Sequence, residues 1–417
     1  MDAIQYTYRK RQEQTEGKNL FLYCSSKTIS VFGTSLFNFA LGLYVLKLTG
    51  SPLSFAITLM LGVIPMILIF PFAGVIADKV NKKTLVVAMD FLSGIMLLTV
   101  FSASYLYQLN LLLIYITTFL LTLFTTFFAV GLEAAKPNVV SKQRLMSINS
   151  ISKSIDSLGT VLGPIIGGVV YGLVDIKLFI IANAISFILS GCMILFMDFN
   201  LNVTEQQQNV KIHIFEDMRE GFRYLVQRKI IMKLFVILIA INFFSGYAIT
   251  VPLPFIVTSV LGLSSRDLGI IQASMPIGML VGALIVKYII ARIPYHKLLK
   301  AIGYGLALFM MLLGLPIWLE VLLFNNQIYM IFYCCIMFLI GTTIALIDIP
   351  MAYLMQTEIP DEYRGRVMSI GISIAKIMLP AAMLLSGFLL VFIPAYILPI
   401  TGGLLYLFIN TKMNSHK

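Results

Sequence analysis

Arg144-Leu-Met-Ser-Ile148 returns 222 residues later as Arg366-Val-Met-Ser-Ile370, and Pro137 and Pro360 precede the two copies at nearly the same offset. Each copy opens the fifth long apolar run of its half of the chain. A single pentapeptide is weak evidence of ancestry, but its recurrence at the same station in both halves argues for duplication of one unit. Working outward from the two copies, apolar runs fall near 21–46, 53–77, 84–106, 109–133, 148–173, 177–197, 230–258, 268–291, 298–319, 327–355, 369–392 and 395–410. Runs of this kind are read as helices crossing about 30 Å of hydrocarbon. The expected fold is therefore an all-α integral membrane protein, with twelve transmembrane helices in two pseudo-symmetric six-helix halves. The halves are 1–197 and 230–417, and 198–229 is a cytoplasmic linker with an amphipathic helix. In that linker Thr204 to Asn209 is polar, whereas Phe215, Met218, Phe222 and Leu225 share one helical face, as in a helix lying on a membrane surface.

Composition leads to the same class. Of 417 residues 59% are hydrophobic and 12% are charged, where a soluble globular chain carries roughly 25% charged residues. A soluble enzyme and a disordered scaffold are excluded. A porin-like barrel is excluded as well, because the apolar runs are continuous rather than alternating. The net charge of +11 follows from topology rather than from a nucleic-acid partner, since Lys and Arg are retained in cytoplasmic loops. One set of loops holds 22 of the 30 basic residues and the opposite set holds only Lys47, Lys177 and Arg266. Both termini are thus expected in the cytoplasm of a cell with this protein in its plasma membrane. Five lysines, at 27, 153, 233, 287 and 376, lie inside spans near the cytoplasmic end, where a long stem lets the ammonium reach the headgroups. Cys24, Cys192, Cys334 and Cys335 show no metal-ligand spacing and read as packing residues.

The residues that carry chemistry are few. No GxxxxGK[ST] occurs, so no phosphate-cradling loop for ATP is present. His213, His296 and His416 lie in loops or the tail and supply no base for an active site, so an enzyme is not expected. A secondary transporter, with no cofactor and an ion gradient as its energy source, remains.

Two motifs narrow the class. Gly74-Val-Ile-Ala-Asp78-Lys79-Val-Asn81-Lys82-Lys83 ends the second span and begins a very short connection. In the fifth span, Gly159-Thr-Val-Leu-Gly163-Pro164-Ile-Ile-Gly167-Gly168 follows Asp156, and Asp156, Gly159, Gly163 and Gly167 fall on one helical face, small enough for direct packing of another helix. The loop motif resembles the signature of the major facilitator superfamily, with Asn81 where that family has glycine. The resemblance implies that Asp78 holds a cytoplasmic gate shut at the positive end of the eleventh helix, near Arg364 and Arg366, with Gly74, Lys79, Lys82 and Lys83 completing it. The glycine–proline motif of the fifth span is similar to one that the family shows mainly in exporters working as antiporters, although an ordinary close-packing face would read the same. Over the whole chain the resemblance is closest to the macrolide-efflux branch, on Pro137 to Leu145, Glu216 to Phe222 and Pro360 to Arg366. That branch implies efflux of macrolides, siderophores or other small products, and with it antibiotic resistance.

Acids in the membrane are costly unless paired, protonated or hydrated. Asp90, Glu133, Asp156 and Asp348 are the candidates for proton coupling. Asp348, in the tenth span, is the deepest, and by the resemblance it faces the cargo. The other three fit equally well as structural ion pairs with Lys153, Lys376 or the Asp78 loop. Leu111 to Leu132 of the fourth span contains no basic residue, a departure from many proton-coupled family members. Asn38, Asn242 and Tyr247 lie at a depth suited to substrate contact, and helix–helix hydrogen bonding explains the asparagines as well. The expected function is export of a small amphipathic compound by alternating access and proton antiport, by a monomer whose partners are its cargo and the bilayer. A lipid-moving facilitator and an uptake carrier are the alternatives.

Overall fold

A computed structural model describes the backbone of residues 2–69, 80–106, 109–201, 222–292, 295–319 and 325–415, and their side chains except at 2–11, 229–230, 295–296, 356, 361–366, 369–370 and 413–415. Among the described residues there are no strands. The helices in chain order are α1 (Asp2–Thr49), α2 (Pro52–Leu61), α3 (Lys82–Leu106), α4 (Leu111–Val139), α5 (Leu145–Tyr171), α6 (Ile176–Leu195), α7 (Lys229–Ser245), α8 (Ser265–Ile290), α9 (Tyr295–Trp318), α10 (Asn326–Glu358), α11 (Asp361–Leu389) and α12 (Ile397–Ser415). Among the described residues eleven helical segments are long and apolar enough to cross a membrane, and α12 is the twelfth helix. The protein is an all-α, multi-pass membrane protein. Residues 202–221, which hold Phe215 and Met218, lie outside the described residues.

The chain forms two compact units: Met1–Tyr44 with Leu61–Gln208, and Val45–Met60 with Asn209–Lys417. In the first unit two elements are longer than the apolar runs indicate. The N-terminal stretch before residue 21 is helical, and Glu16 and Asn19 within it are buried. Glu16 accepts the Ser141 backbone N–H at 2.5 Å and lies 3.7 Å from the Arg144 guanidinium. Asn19 donates to the carbonyls of Val139 and Asp198 and accepts the Asp198 N–H. These side chains fasten the ends of α4 and α6 to α1, which is why a polar segment stays helical here.

Helix α4 starts where the Asn110 side chain accepts the Leu113 N–H at 2.8 Å and runs to Val139, past the expected end near 133. Pro137 sits in its last turn, where a missing N–H removes a single backbone hydrogen bond. The extension carries Lys136 into the helix beyond Glu133, so the fourth helix, free of basic residues over Leu111 to Leu132, has one in its last turn. A core of Tyr23, Val86, Phe128, Leu132, Val139, Ile148 and Ile194 fills the same end of the unit.

In the second unit α7 continues through π-helical turns at Gly246–Thr250 and Ile256–Val260, with Pro252 and Pro254 between them. Each proline withdraws a donor from the regular ladder, and wider turns at helix irregularities of this kind are common. Residues 45–60 pack on α11, where Gly387 lies against Ala56 and the Pro52 carbonyl. Helices α8 and α10 approach backbone to backbone: a Cβ on Gly278 would strike the Phe338 carbonyl, and one on Gly341 the Met275 carbonyl. Backbone cannot step aside as a side chain can. Gly341→Ala is therefore expected to lower stability by about 1–3 kcal/mol, whereas Gly305→Ala, whose methyl meets only the Phe309 ring at an ordinary 3.7 Å, should not. Thermal melts of the two purified variants check this, and equal midpoints would refute it.

Candidate functional site

The seam between α1 and α5 organises the first unit. On α5 the positions 156, 159, 163 and 167 face 27, 31, 35 and 39 on α1. A Cβ on Gly159 would lie 2.5 Å from a Val31 methyl, one on Gly163 2.7 Å from the Ser35 Cβ, and one on Gly167 3.0 Å from the Phe39 ring. Glycine at each step lets α1 lie directly on α5. Pro164 sits inside α5 beside this face, and Gly168 is buried with it.

The polar end of that seam is a charged cluster on three helices. Lys27 of α1 is buried, with 9% of its side chain exposed, and its Nζ donates to Asp156 Oδ2 at 2.9 Å and to Ser152 Oγ at 2.5 Å, both on α5. It also lies 3.7 Å from Glu133 Oε1 on α4. Lys136, 4% exposed, donates to Glu133 Oε2 at 2.6 Å and to Asn149 Oδ1 at 3.0 Å. Ser152 accepts from Lys27 and from the Tyr23 hydroxyl at 3.1 Å and donates to Glu133 at 3.3 Å, which uses both lone pairs and its proton. The two cations and two anions balance. A buried ammonium without such partners would be prohibitively costly.

This geometry corrects two expectations. Lys27 does not reach toward headgroups; it is enclosed because its stem lies along the α1–α5 seam and two carboxylates meet it there. The partners of Glu133 and Asp156 are Lys27 and Lys136 rather than Lys153 or Lys376, because the helical extension of α4 carries Lys136 one turn past Glu133. Both carboxylate side chains are accessible, at 43% for Asp156 and 51% for Glu133. Both acids thus lie against the buried Lys27, and Glu133 has the buried Lys136 as a second partner.

The remaining acids stand elsewhere. Asp90 on α3 is fully buried and accepts the Ser190 hydroxyl of α6 at 2.5 Å. Asp348, in the second unit, lies on α10 two residues before Pro350, and its Oδ1 is buried without a hydrogen-bond partner. Asn38 is exposed on α1. Asn242 donates to the Leu238 carbonyl of its own helix at 2.9 Å. Tyr247 is buried, stacked on Phe243 and joined to the rest of the second unit: its hydroxyl lies 3.3 Å from Thr401 on α12 and its carbonyl accepts Ser386 of α11 at 2.9 Å.

Gly74, Asp78 and Lys79 lie outside the described residues, as do the side chains of Arg364 and Arg366, whose backbone belongs to the start of α11. Lys82 and Lys83 are both engaged within the first unit, Lys82 with Asn138 Oδ1 at 3.2 Å and Lys83 with the Met197 carbonyl at 3.0 Å. Among the described residues no group of His, Cys, Asp or Glu could hold a metal ion. An apolar groove of about 410 Å³ between α8 and α10 is lined by Ser274, Ile277, Cys334, Cys335, Phe338 and Leu339 and contains no charged residue.

Residues 24–383 match the family described as Major Facilitator Superfamily. The chain is 21% identical over 365 residues to Macrolide efflux protein A of Streptococcus pyogenes, covering 87% of each chain. It is 27% identical over 364 residues to YfiS, an uncharacterized MFS-type transporter of Bacillus subtilis, covering 84% of this chain and 81% of that one. In fold it is similar to a bacterial homologue of the iron transporter ferroportin in an inward-facing state, with a TM-score of 0.71 at 15% identity over 97% and 99% of the two chains. It is likewise similar to the nucleoside transporter NupG in a mutant form, with a TM-score of 0.69 at 13% identity over 94% and 99%.

Proposed function

The chain belongs to the Major Facilitator Superfamily, and on that premise we propose that it exports a small amphipathic compound across the plasma membrane by alternating access, driven by proton antiport. The observation that carries the reading is the pair of partly exposed carboxylates, Glu133 and Asp156, both within reach of the buried ammonium of Lys27, with Lys136 as a second partner of Glu133. A proton on either acid neutralises it and leaves Lys27 to the other. Because a neutral acid is buried at lower cost than a charged one, proton occupancy biases which arrangement of α1, α4 and α5 is favoured. Asp348 is the corresponding acid of the second unit. Export as the direction draws support from the macrolide efflux relatives, which are distant. The energy source is the proton gradient, with no ATP or other cofactor, and the working unit is a monomer with both termini in the cytoplasm.

Everted membrane vesicles test this. A macrolide, a siderophore and a lysolipid are offered in turn under an interior-acid pH gradient. The expected result is accumulation of the macrolide or the siderophore that a protonophore collapses. Accumulation of the lysolipid instead would favour a lipid-moving carrier, and accumulation only under the opposite gradient would establish uptake.

A further inference from the structure

We infer that Asp90 is a proton-binding site in the packing of the first unit, separate from transport, and that it is occupied as the neutral acid. The residue is fully buried on α3, and its carboxyl group points at α6 and α1, where Ser190 lies 2.5 Å from Oδ2 and Ser26 lies 3.0 Å from Ser190. The other oxygen, Oδ1, has no hydrogen-bond partner. Among the described residues no Lys, Arg or His comes within ion-pair distance of it.

Five lysines and a glutamate on the helices around Asp90 are engaged elsewhere. Lys27, next to Ser26 on α1, is held by Asp156 and Ser152. On α4, Glu133 and Lys136 bind each other. Lys82 and Lys83 of α3 reach Asn138 and the Met197 carbonyl, and Lys177 of α6 lies over the Tyr105 ring. Close helix approach leaves little freedom to bring one of them in: a Cβ on Gly191 of α6 would stand 3.3 Å from the Asp90 Cβ, and one on Gly94 of α3 would stand 3.1 Å from the Ala184 carbonyl.

An unpaired carboxylate in such a place costs far more than one hydroxyl hydrogen bond supplies. A bound proton removes the charge. With the acid neutral, the 2.5 Å contact reverses relative to the ionised form: the acid donates to Ser190 and Ser190 to Ser26, giving one oriented chain across α3, α6 and α1. Glu133 and Asp156 differ on each count, being partly exposed and paired with lysine.

Infrared spectroscopy of the purified full-length protein in lipid nanodiscs reads the proton directly. At neutral pH the wild-type minus Asp90→Asn difference spectrum is expected to contain the C=O stretch of a protonated carboxylic acid, and Ser190→Ala is expected to move that band to higher wavenumber as its hydrogen bond is lost. Proton-driven efflux by Asp90→Asn should match wild type. Absence of the acid band from the difference spectrum overturns the site. Loss of proton coupling in a folded Asp90→Asn protein overturns its separation from transport. If Asp90→Asn fails to fold, Ser190→Ala decides alone: a shifted acid band supports the site and an unchanged spectrum overturns it.

Discussion

Replacing Lys27 with methionine is expected to lower the thermal midpoint of the purified protein by several degrees and to abolish coupled transport. Methionine matches the aliphatic stem that packs along the α1–α5 seam, so the loss isolates the ammonium. Without it Asp156 keeps no described cation, and Ser152 loses one of its two donors. Breaking a fully buried pair costs roughly 3–5 kcal/mol. Here the abandoned carboxylate is 43% exposed and recovers part of its hydration, so a loss of about 1–3 kcal/mol is the expectation. The double variant Lys27→Met with Asp156→Asn removes the orphaned charge while Glu133 keeps Lys136, and it should regain most of the midpoint but none of the proton coupling. Stability and transport are thereby separated in one experiment. A single variant that melts like wild type would mean that the cluster is a solvated surface network worth little.

Much of this seam was legible in the sequence, and the reason is periodicity. The spacing of Asp156, Gly159, Gly163 and Gly167 marks a face on which only a closely packed helix can lie, and α1 occupies it. The twelve helices were legible because apolar length and the bias of Lys and Arg are one-dimensional signals. The partners were not. Lys27 cannot be told in sequence from Lys153 or Lys287, because depth and facing direction depend on which helix lies opposite. The one usable signal is that 27, 31, 35 and 39 recur at the four-residue spacing that matches the glycines of α5.

Lys136 was obscured for a different reason. The fourth apolar run ends near 133, yet the helix continues through Pro137 in its last turn and carries its basic residue in that extension. The Asp90–Ser190–Ser26 contact joins three helices through residues that are individually ordinary in a membrane span. The π-helical turns of α7 flank Pro252 and Pro254, which lie inside the uninterrupted apolar run 230–258.

Asp348→Asn is expected to reduce proton-driven efflux to the level of protein-free liposomes while leaving substrate exchange, measured without a proton gradient, within about twofold of wild type. Asparagine preserves the shape of the side chain and much of its hydrogen-bonding capacity, so α10 should pack as before. What it cannot do is change charge. Asp348 presents one oxygen that is buried without a partner, and unlike Asp156 it has no described lysine to share its charge. Its ionised form is therefore stabilised only in an arrangement that admits water or a cation, whereas its protonated form tolerates enclosure. A difference of that kind between two conformations is what lets a gradient drive a transport cycle. The pH dependence should vanish along with the driven flux, because removal of the titrating group makes the rate flat where the wild type varies. If driven efflux persisted at the wild-type rate in Asp348→Asn and failed in Asp156→Asn, coupling would reside entirely in the first unit, and the unpaired oxygen of α10 would be a feature of packing.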